Sequence, residues 1–230
     1  MKHILAAIIS TGLLFGVCSA ADKLELKDQK DKESYSLGYQ FGMSLKMQGV
    51  DINLDAYASA IRDALGGKEP RMSSEEMQST VMGFRQRMAD AQQKALKDQG
   101  EKNLAEGKSF LAENTKKTGV KTLPSGLQYK VLSEGAGKTP KKSDTVTVHY
   151  RGTFMNGTEF DSSIARGQPA TFKVDGVIPG WTEALQLMKE GAKWQLFIPA
   201  ELAYGEKGMP PRIPPQSALV FDVELISVQN

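Results

Sequence analysis

The sequence predicts an α+β protein in two parts: an all-helical N-terminal half ending in a long connecting helix, then an antiparallel sheet around one short helix. Three observations predict it. Residues 22 to about 118 are rich in Lys, Glu, Gln, Ala and Met and carry few strand signals. Residues 120–230 hold most of the Val, Thr, Pro and Gly punctuation, with apolar residues alternating over short runs, the period of a half-buried strand. Tyr150, Phe160, Phe172, Trp181 and Phe221 lie on separate segments of that second region, where a sheet would gather them into an aromatic bowl. A chain of 230 residues has room for one large or two small domains, each with its own core.

The helical half begins after a targeting segment. Met1-Lys2-His3 is a basic start, Ile4 to Val17 is apolar, and Cys18-Ser19-Ala20 supplies the small residues of a cleavage site before Ala21. The apolar run is short for a membrane span. Two other readings stay open: an N-terminal core helix, and a lipid anchor on Cys18, which the branched Val17 before it disfavours. A first helix is expected over Lys32–Met47, where Gly38 and Gly42 permit close approach of another helix. A second runs from Leu54 to Leu65, with Asn53 as its cap and Gly66-Gly67 as its stop. A third starts at Ser73 or Ser74, with Glu75 and Glu76 in its first turn. Met77, Val81, Phe84, Met88, Ala91 and Ala95 then follow a 4-3-4-3-4 spacing, an a/d seam that calls for a second chain or an ordinary bundle. Beyond Ala95 the helix is polar nearly all round, the pattern of a solvent-bridging arm, and Gly100 and Gly107 are expected to let it bend. If helical to Lys116, it is about 60 Å long at 1.5 Å per residue.

In the second half, Leu127, Tyr129 and Val131 alternate as a strand, and Thr145–Phe154 forms the next. Asn156-Gly157 marks a hairpin turn into Thr158-Glu159-Phe160. Ala170–Val174, Lys193–Ile198 and the run around Leu219, Phe221, Val223 and Leu225 complete about five strands, with a helix over Trp181–Met188 on one face. Ala203-Tyr204-Gly205 and Ile213-Pro214-Pro215 belong to a long loop.

Composition excludes several chemistries. Lys plus Arg number 29 and Asp plus Glu 27, with no long basic run, so nucleic acid is not an expected partner. Cleavage before Ala21 would remove the single Cys and one of the two His residues. The remaining His149 alternates with Val148 and Tyr150 on the face opposite the apolar one and reads as a surface strand residue. The bowl therefore has no nucleophile and no metal-ligand set, and no cofactor is expected. Such a site binds and twists a substrate and does not attack it.

Val148-His149-Tyr150, Gly157-Thr158-Glu159-Phe160-Asp161-Ser162-Ser163, Val177-Ile178-Pro179-Gly180-Trp181, Ala203-Tyr204-Gly205 and Leu219–Leu225 together resemble the FK506-binding (FKBP) type of peptidyl-prolyl cis-trans isomerase. The resemblance runs from about Ser125 to the C-terminus. The N-terminal half, with Tyr35-Ser36-Leu37-Gly38-Tyr39 and the long third helix, more loosely resembles the dimerisation domain of the macrophage infectivity potentiator and periplasmic FKBP subgroup.

After the signal peptide read over 1–20, the resemblance implies a helical dimerisation domain and linker helix over 21–118 and an FKBP-like half-barrel isomerase domain over 119–230. It implies that Trp181 is the pocket floor, that Tyr150, Phe160, Val177, Ile178 and Phe221 are its walls, and that Phe172 adjoins them, unless Phe172 is plain core. The Ile178 N–H and the Tyr204 hydroxyl would each hold a substrate carbonyl. Asp161, held by Tyr150 and Arg166, would face the twisting amide, and Ile213 would flank the substrate. Implied partners are unfolded exported proteins with X-Pro bonds, a second copy of the chain, and a macrolide inhibitor. The implied location is the periplasm, with lipoprotein or outer-membrane association as the alternative. Chaperone activity is implied beside isomerisation, the alternative being a dimeric holdase that only grips prolines. The chain departs from the family pattern at Ala170, where many members carry Phe, at Met209, where a His is common, and at Arg212, which replaces an apolar residue.

Overall fold

The computed structural model describes residues 25–229. The expected export segment, with His3 and Cys18, lies outside the described residues. The chain divides into two compact units after Ser73.

In the first unit, α1 spans Gln29–Met47 and α2 spans Leu54–Leu65. Both start on side-chain caps. Asp28 accepts from the Asp31 N–H at 2.8 Å, and Asn53, the expected cap, accepts from the Ala56 N–H at 2.9 Å. Phe41 of α1 stacks on Tyr57 of α2 with ring centroids 5.1 Å apart. After α2 the chain turns back, and Asp63 receives Lys68 at 3.2 Å and Arg71 at 2.7 Å. Many large apolar side chains stay uncovered in the single chain: Leu37 is 69 %, Met47 78 % and Leu65 86 % exposed.

The second unit begins with α3, one continuous helix over Ser74–Asn114. The strands follow: β1 Val120–Thr122, β2 Gln128–Ser133, β3 Thr145–Phe154, β4 Glu159–Ser162 and β5 Ala170–Lys173. A helix α4, Pro179–Leu185, precedes β6 Lys193–Ile198 and β7 Leu219–Gln229. All pairs are antiparallel, in the order β1-β2-β6-β7-β3-β4, with β5 also pairing β3. The expected hairpin forms: the Phe154 N–H donates to Thr158 O at 2.9 Å, and Gly157 takes φ 84°. The alternation read in β3 and β7 holds, with Val146, Val148, Tyr150, Leu219, Phe221, Val223 and Leu225 all buried. They pack with Trp181, Ala184, Leu185 and Met188 from α4 and the turn after it. That helix starts two residues before the expected position because Pro179, whose fixed φ suits a first turn, opens it. The three-residue β1, too short to show an alternation, was not foreseen.

The second half of α3 differs from the expected solvent-bridging arm. It runs unbroken through its glycines. Gly100, Gly107 and Asn114 are buried, one heptad apart. At Gly107 an added Cβ would lie 3.1 Å from Ala218 Cβ. Phe110 meets Phe197 with centroids 6.1 Å apart. Asn114 Nδ2 donates to Gln128 Oε1 at 3.0 Å, while Gln128 Nε2 donates to Leu111 O at 2.9 Å and Thr115 Oγ1 at 2.7 Å. The glycines are where the helix backbone comes close to the sheet unit. A contact made by missing side chains leaves no apolar periodicity, so the sequence reads as polar all round.

This packing predicts that Gly107→Val, which adds bulk against Ala218, destabilises the second unit by about 1–3 kcal/mol, the usual range for overpacking. Urea unfolding followed by tryptophan fluorescence measures it, since Trp181 and Trp194 both lie in this unit. An unchanged midpoint would show that the contact at Ala218 yields freely.

Candidate functional site

The pocket opens among β3, β4, β5, α4 and the loop after β6, with a volume of about 380 Å³. Tyr150, Phe160, Asp161, Phe172, Val177, Ile178, Trp181, Tyr204 and Phe221 all line it, as expected, joined by Gly176 and Met209. The strands explain the convergence. Tyr150 and Gly152 share the inward face of β3, and Gly152 is paired with Phe221 of β7 on one side and Asp161 of β4 on the other. Trp181 enters from the first turn of α4, which Thr182 ties back by donating to Val174 O at 2.7 Å.

Trp181 is 4 % exposed and forms the floor. Tyr150, Phe172 and Phe221 stand on it edge-to-face, with centroids at 5.3, 6.0 and 5.3 Å and interplanar angles of 85°, 87° and 82°. Phe160 meets Phe221 in the same way, at 5.6 Å and 87°. This geometry places the positive edge of one ring against the negative face of another, so the walls brace each other. Phe172 is thus a pocket residue and not plain core.

One polar cluster sits at the edge. The Tyr150 hydroxyl donates to Asp161 Oδ2 at 2.5 Å, Arg166 pairs with Asp161 Oδ1, and an Arg166 nitrogen donates to the Tyr150 hydroxyl oxygen at 2.8 Å. Burial pushes the Asp161 carboxyl up, but the bonds from Tyr150 and Arg166 outweigh it and hold the group below its ordinary value. Burial, then the bond to Asp161, raises the Tyr150 phenol. Burial, with the Asp161 charge adding, raises Tyr204. At neutral pH the site holds one carboxylate, compensated by one guanidinium, beside two neutral phenols. The Ile178 N–H donates to no group among the described residues, and neither does the Tyr204 hydroxyl.

Ile213 is a correction. It does not line the pocket; it is 1 % exposed and packs in the core. Its backbone pairs with Met209, and Met209 supplies the rim. His149 is half-buried, its Nδ1 3.2 Å from Ser163 Oγ, outside the pocket lining. Gly152 was not foreseen. A Cβ there would lie 2.7 Å from both Phe160 Cζ and Phe221 Cε1. A glycine on the inward face of a strand, two residues after Tyr150, is the signal that would have found it.

The matched families cover both units. Residues 136–226 match the family described as FKBP-type peptidyl-prolyl cis-trans isomerase, and residues 30–131 match the domain amino terminal to FKBP-type peptidyl-prolyl isomerase. The Peptidyl-prolyl cis-trans isomerase Mip of Coxiella burnetii is 44% identical over 230 residues, covering 100% of both chains.

The chain belongs to the FKBP-type peptidyl-prolyl cis-trans isomerases.

The Outer membrane protein MIP of Legionella longbeachae is similarly 44% identical, over 100% of this chain and 98% of that protein. The FKBP-type peptidyl-prolyl cis-trans isomerase FkpA of Escherichia coli K12 is 43% identical over 92% of this chain and 80% of its own length. The crystal structure of FkpA from Escherichia coli superposes with a TM-score of 0.75 at 42% identity, covering 89% of this chain and 99% of that one. Among the described residues no helix of this FKBP is long and apolar enough to cross a membrane.

The cluster sets a pH dependence. Asp161, with a depressed folded pKa, contributes stability above its unfolded pKa of about 3.9 and loses it as pH falls through the lower folded value. Unfolding midpoints of the parent and Asp161→Asn should therefore differ at neutral pH and draw together as pH falls through the lowered folded value. Tyr150 and Tyr204 stay neutral to beyond their ordinary value of about 10, so kcat/KM should be flat from about pH 5 to about pH 9. A bell-shaped profile inside that window would show that a proton transfer takes part.

Proposed function

We propose that the chain accelerates cis-trans rotation about X-Pro bonds in exported proteins by holding the amide in a twisted form inside this pocket. The observation that supports it most is the braced aromatic wall on the Trp181 floor, open beside unengaged donors at Ile178 and Tyr204. The barrier to rotation, about 18–20 kcal/mol, comes from amide resonance. A twisted amide has lost that resonance and part of its dipole, so leaving water for an apolar pocket costs it less than it costs the planar form. The proline ring rests on Trp181, the Ile178 N–H and the Tyr204 hydroxyl hold flanking carbonyls, and the remaining rings exclude water. Asp161, kept ionised by Tyr150 and Arg166, acts through its field and transfers no proton. Proline is the natural substrate because its cis form lies only about 0.5–1 kcal/mol uphill. A macrolide inhibitor competes for the same rings, with Met209 giving the rim a soft, adaptable edge.

The exposed apolar residues of α1 and α2, and the α3 seam from Met77 to Ala95, support a homodimer built from the N-terminal helices. The division intended by this assembly is an export segment over 1–20, a dimerising helical part over 21–118 and an isomerase part over 119–230. The working location is the periplasm, with the lipid-anchored form as its alternative. Chaperone action on unfolded clients belongs to the same reading. The uncovered side chains of the first unit also favour a second one, in which the dimer is chiefly a holdase and the pocket only grips prolines.

Two experiments test this. Trp181→Ala should lower kcat/KM on a proline tetrapeptide by more than about tenfold, or about 1.4 kcal/mol of transition-state binding, and Asp161→Asn by less. If the Asp161 variant is the worse of the two while folded, the field-only role is wrong. A Trp181→Ala protein that still suppresses aggregation separates holdase from isomerase. Phe84→Asp should halve the solution mass while leaving tetrapeptide turnover intact and reducing help to a large client, because linked sites raise local concentration. A full dimer mass in that variant would refute the seam.

A further inference from the structure

The loop after β6 carries two pocket residues, Tyr204 and Met209, yet most of it lies outside any strand. It is laced internally. The Met209 N–H donates to Ile213 O at 2.8 Å, and the Ile213 N–H returns a bond to Met209 O at 2.9 Å. The Gln216 N–H donates to Gly205 O, next to Tyr204, at 2.8 Å, and Ser217 Oγ donates to Pro214 O at 2.9 Å. Gln216 sits at φ 56°, a left-handed conformation that a non-glycine residue keeps only where its surroundings impose it.

What imposes it comes from α3. Asn103 Nδ2 donates to Pro215 O at 2.7 Å, across 112 positions of sequence. One helical turn earlier, Gly100 lies under the same segment: a Cβ there would stand 3.3 Å from Pro215 Cβ and 3.5 Å from Gln216 Cγ. The left-handed residue is therefore held by the bond from Asn103 on one side and by its own bond to Gly205 on the other. One bond seats the returning limb of the loop on the helix, and the other ties that limb to the outgoing limb beside Tyr204.

We propose that Asn103 is a positioning residue for the isomerase site. Its amide seats the Pro215 carbonyl on α3, and through the Gln216–Gly205 bond this holds Tyr204 and Met209 at the pocket rim. The linker helix is thereby a structural part of the active-site loop, and contact with substrate is not required of it. The inference rests on the pocket mechanism proposed above. A Trp181→Ala protein with full turnover would defeat that mechanism alone, whereas loop protection decides the role of Asn103 whatever the turnover.

The test uses the full-length chain. Asn103→Asp has the same shape but no amide donor; Asn103→Ala removes the group without adding charge and serves as the second variant. Asn114→Ala is the comparator, since Asn114 bonds the same helix to Gln128 of β2 and makes no bond to the loop. Amide hydrogen exchange at Gln216 and Ile213 and kcat/KM on tetrapeptides differing before proline are measured together. In both Asn103 variants the two amides should exchange faster, and kcat/KM should fall about three- to tenfold, the scale of one lost hydrogen bond, with altered preference for the residue before proline. Asn114→Ala should lower the urea midpoint and leave exchange at Gln216 and the peptide preference unchanged. Gln216 and Ile213 amides that stay protected in both Asn103 variants would overturn the proposal. So would an Asn114→Ala protein that loosens the loop equally, since that would assign the effect to helix docking in general.

Discussion

The pocket depends on a side chain that is not there. Gly152 sits near the C-terminal end of β3, opposite Phe221 and Asp161 on its two neighbouring strands. The Phe160 and Phe221 rings close over its bare Cα. A Cβ there would have to displace both rings, and Phe221 is one of the rings that brace Trp181. The usual cost of glycine in a strand is accepted here because the backbone must be approached closely. Gly180 plays a related part in α4, where a Cβ would lie 2.6 Å from Ile198 Cγ2, so the helix that delivers Trp181 lies directly on β6.

The polar groups are placed so as not to compete with the rings. Tyr150 belongs to both systems, its ring on Trp181 and its hydroxyl on Asp161. Arg166 completes the pairing from the loop after β4 and lies 5.5 Å from the Tyr150 ring centroid, within reach of its face. The carboxylate is thus neutralised locally without a metal or an acid partner being needed to explain its ionisation. A site of this kind presents shape, low polarity and fixed donors. In the mechanism proposed above, these are the means that accelerate a rotation, which makes and breaks no σ bond.

The long helix joins this chemistry to the rest of the chain. Its first half carries an apolar seam, and its second half carries a row of small and amide residues against the sheet unit. The two halves solve different problems with one continuous backbone. Met, Val and Phe spacing reaches for a large apolar surface, whereas Gly100, Asn103, Gly107 and Asn114 let a helix lie close to loops and strands and satisfy their carbonyls and amides. The identity shared with Mip and FkpA relatives spans both halves.

The sequence by itself determined the strands β2 to β7, with β7 read only as far as Leu225, the caps of α2, the aromatic set of the pocket and the family. Each of these leaves a local mark: period-two alternation, Asn53 before a helix, Asn156-Gly157 in a turn, and ordered motifs around Trp181 and Tyr204. The tertiary structure alone decided three things. It buried Ile213 in the core and not beside the substrate, because Ile213 lies in a loop whose path is set by non-local bonds. It made Gly152 part of the site, because the need for empty space appears only when two distant rings meet there. It turned the polar end of α3 from an arm into a seat, because a contact made through glycines and amide bonds has no hydrophobic period to read.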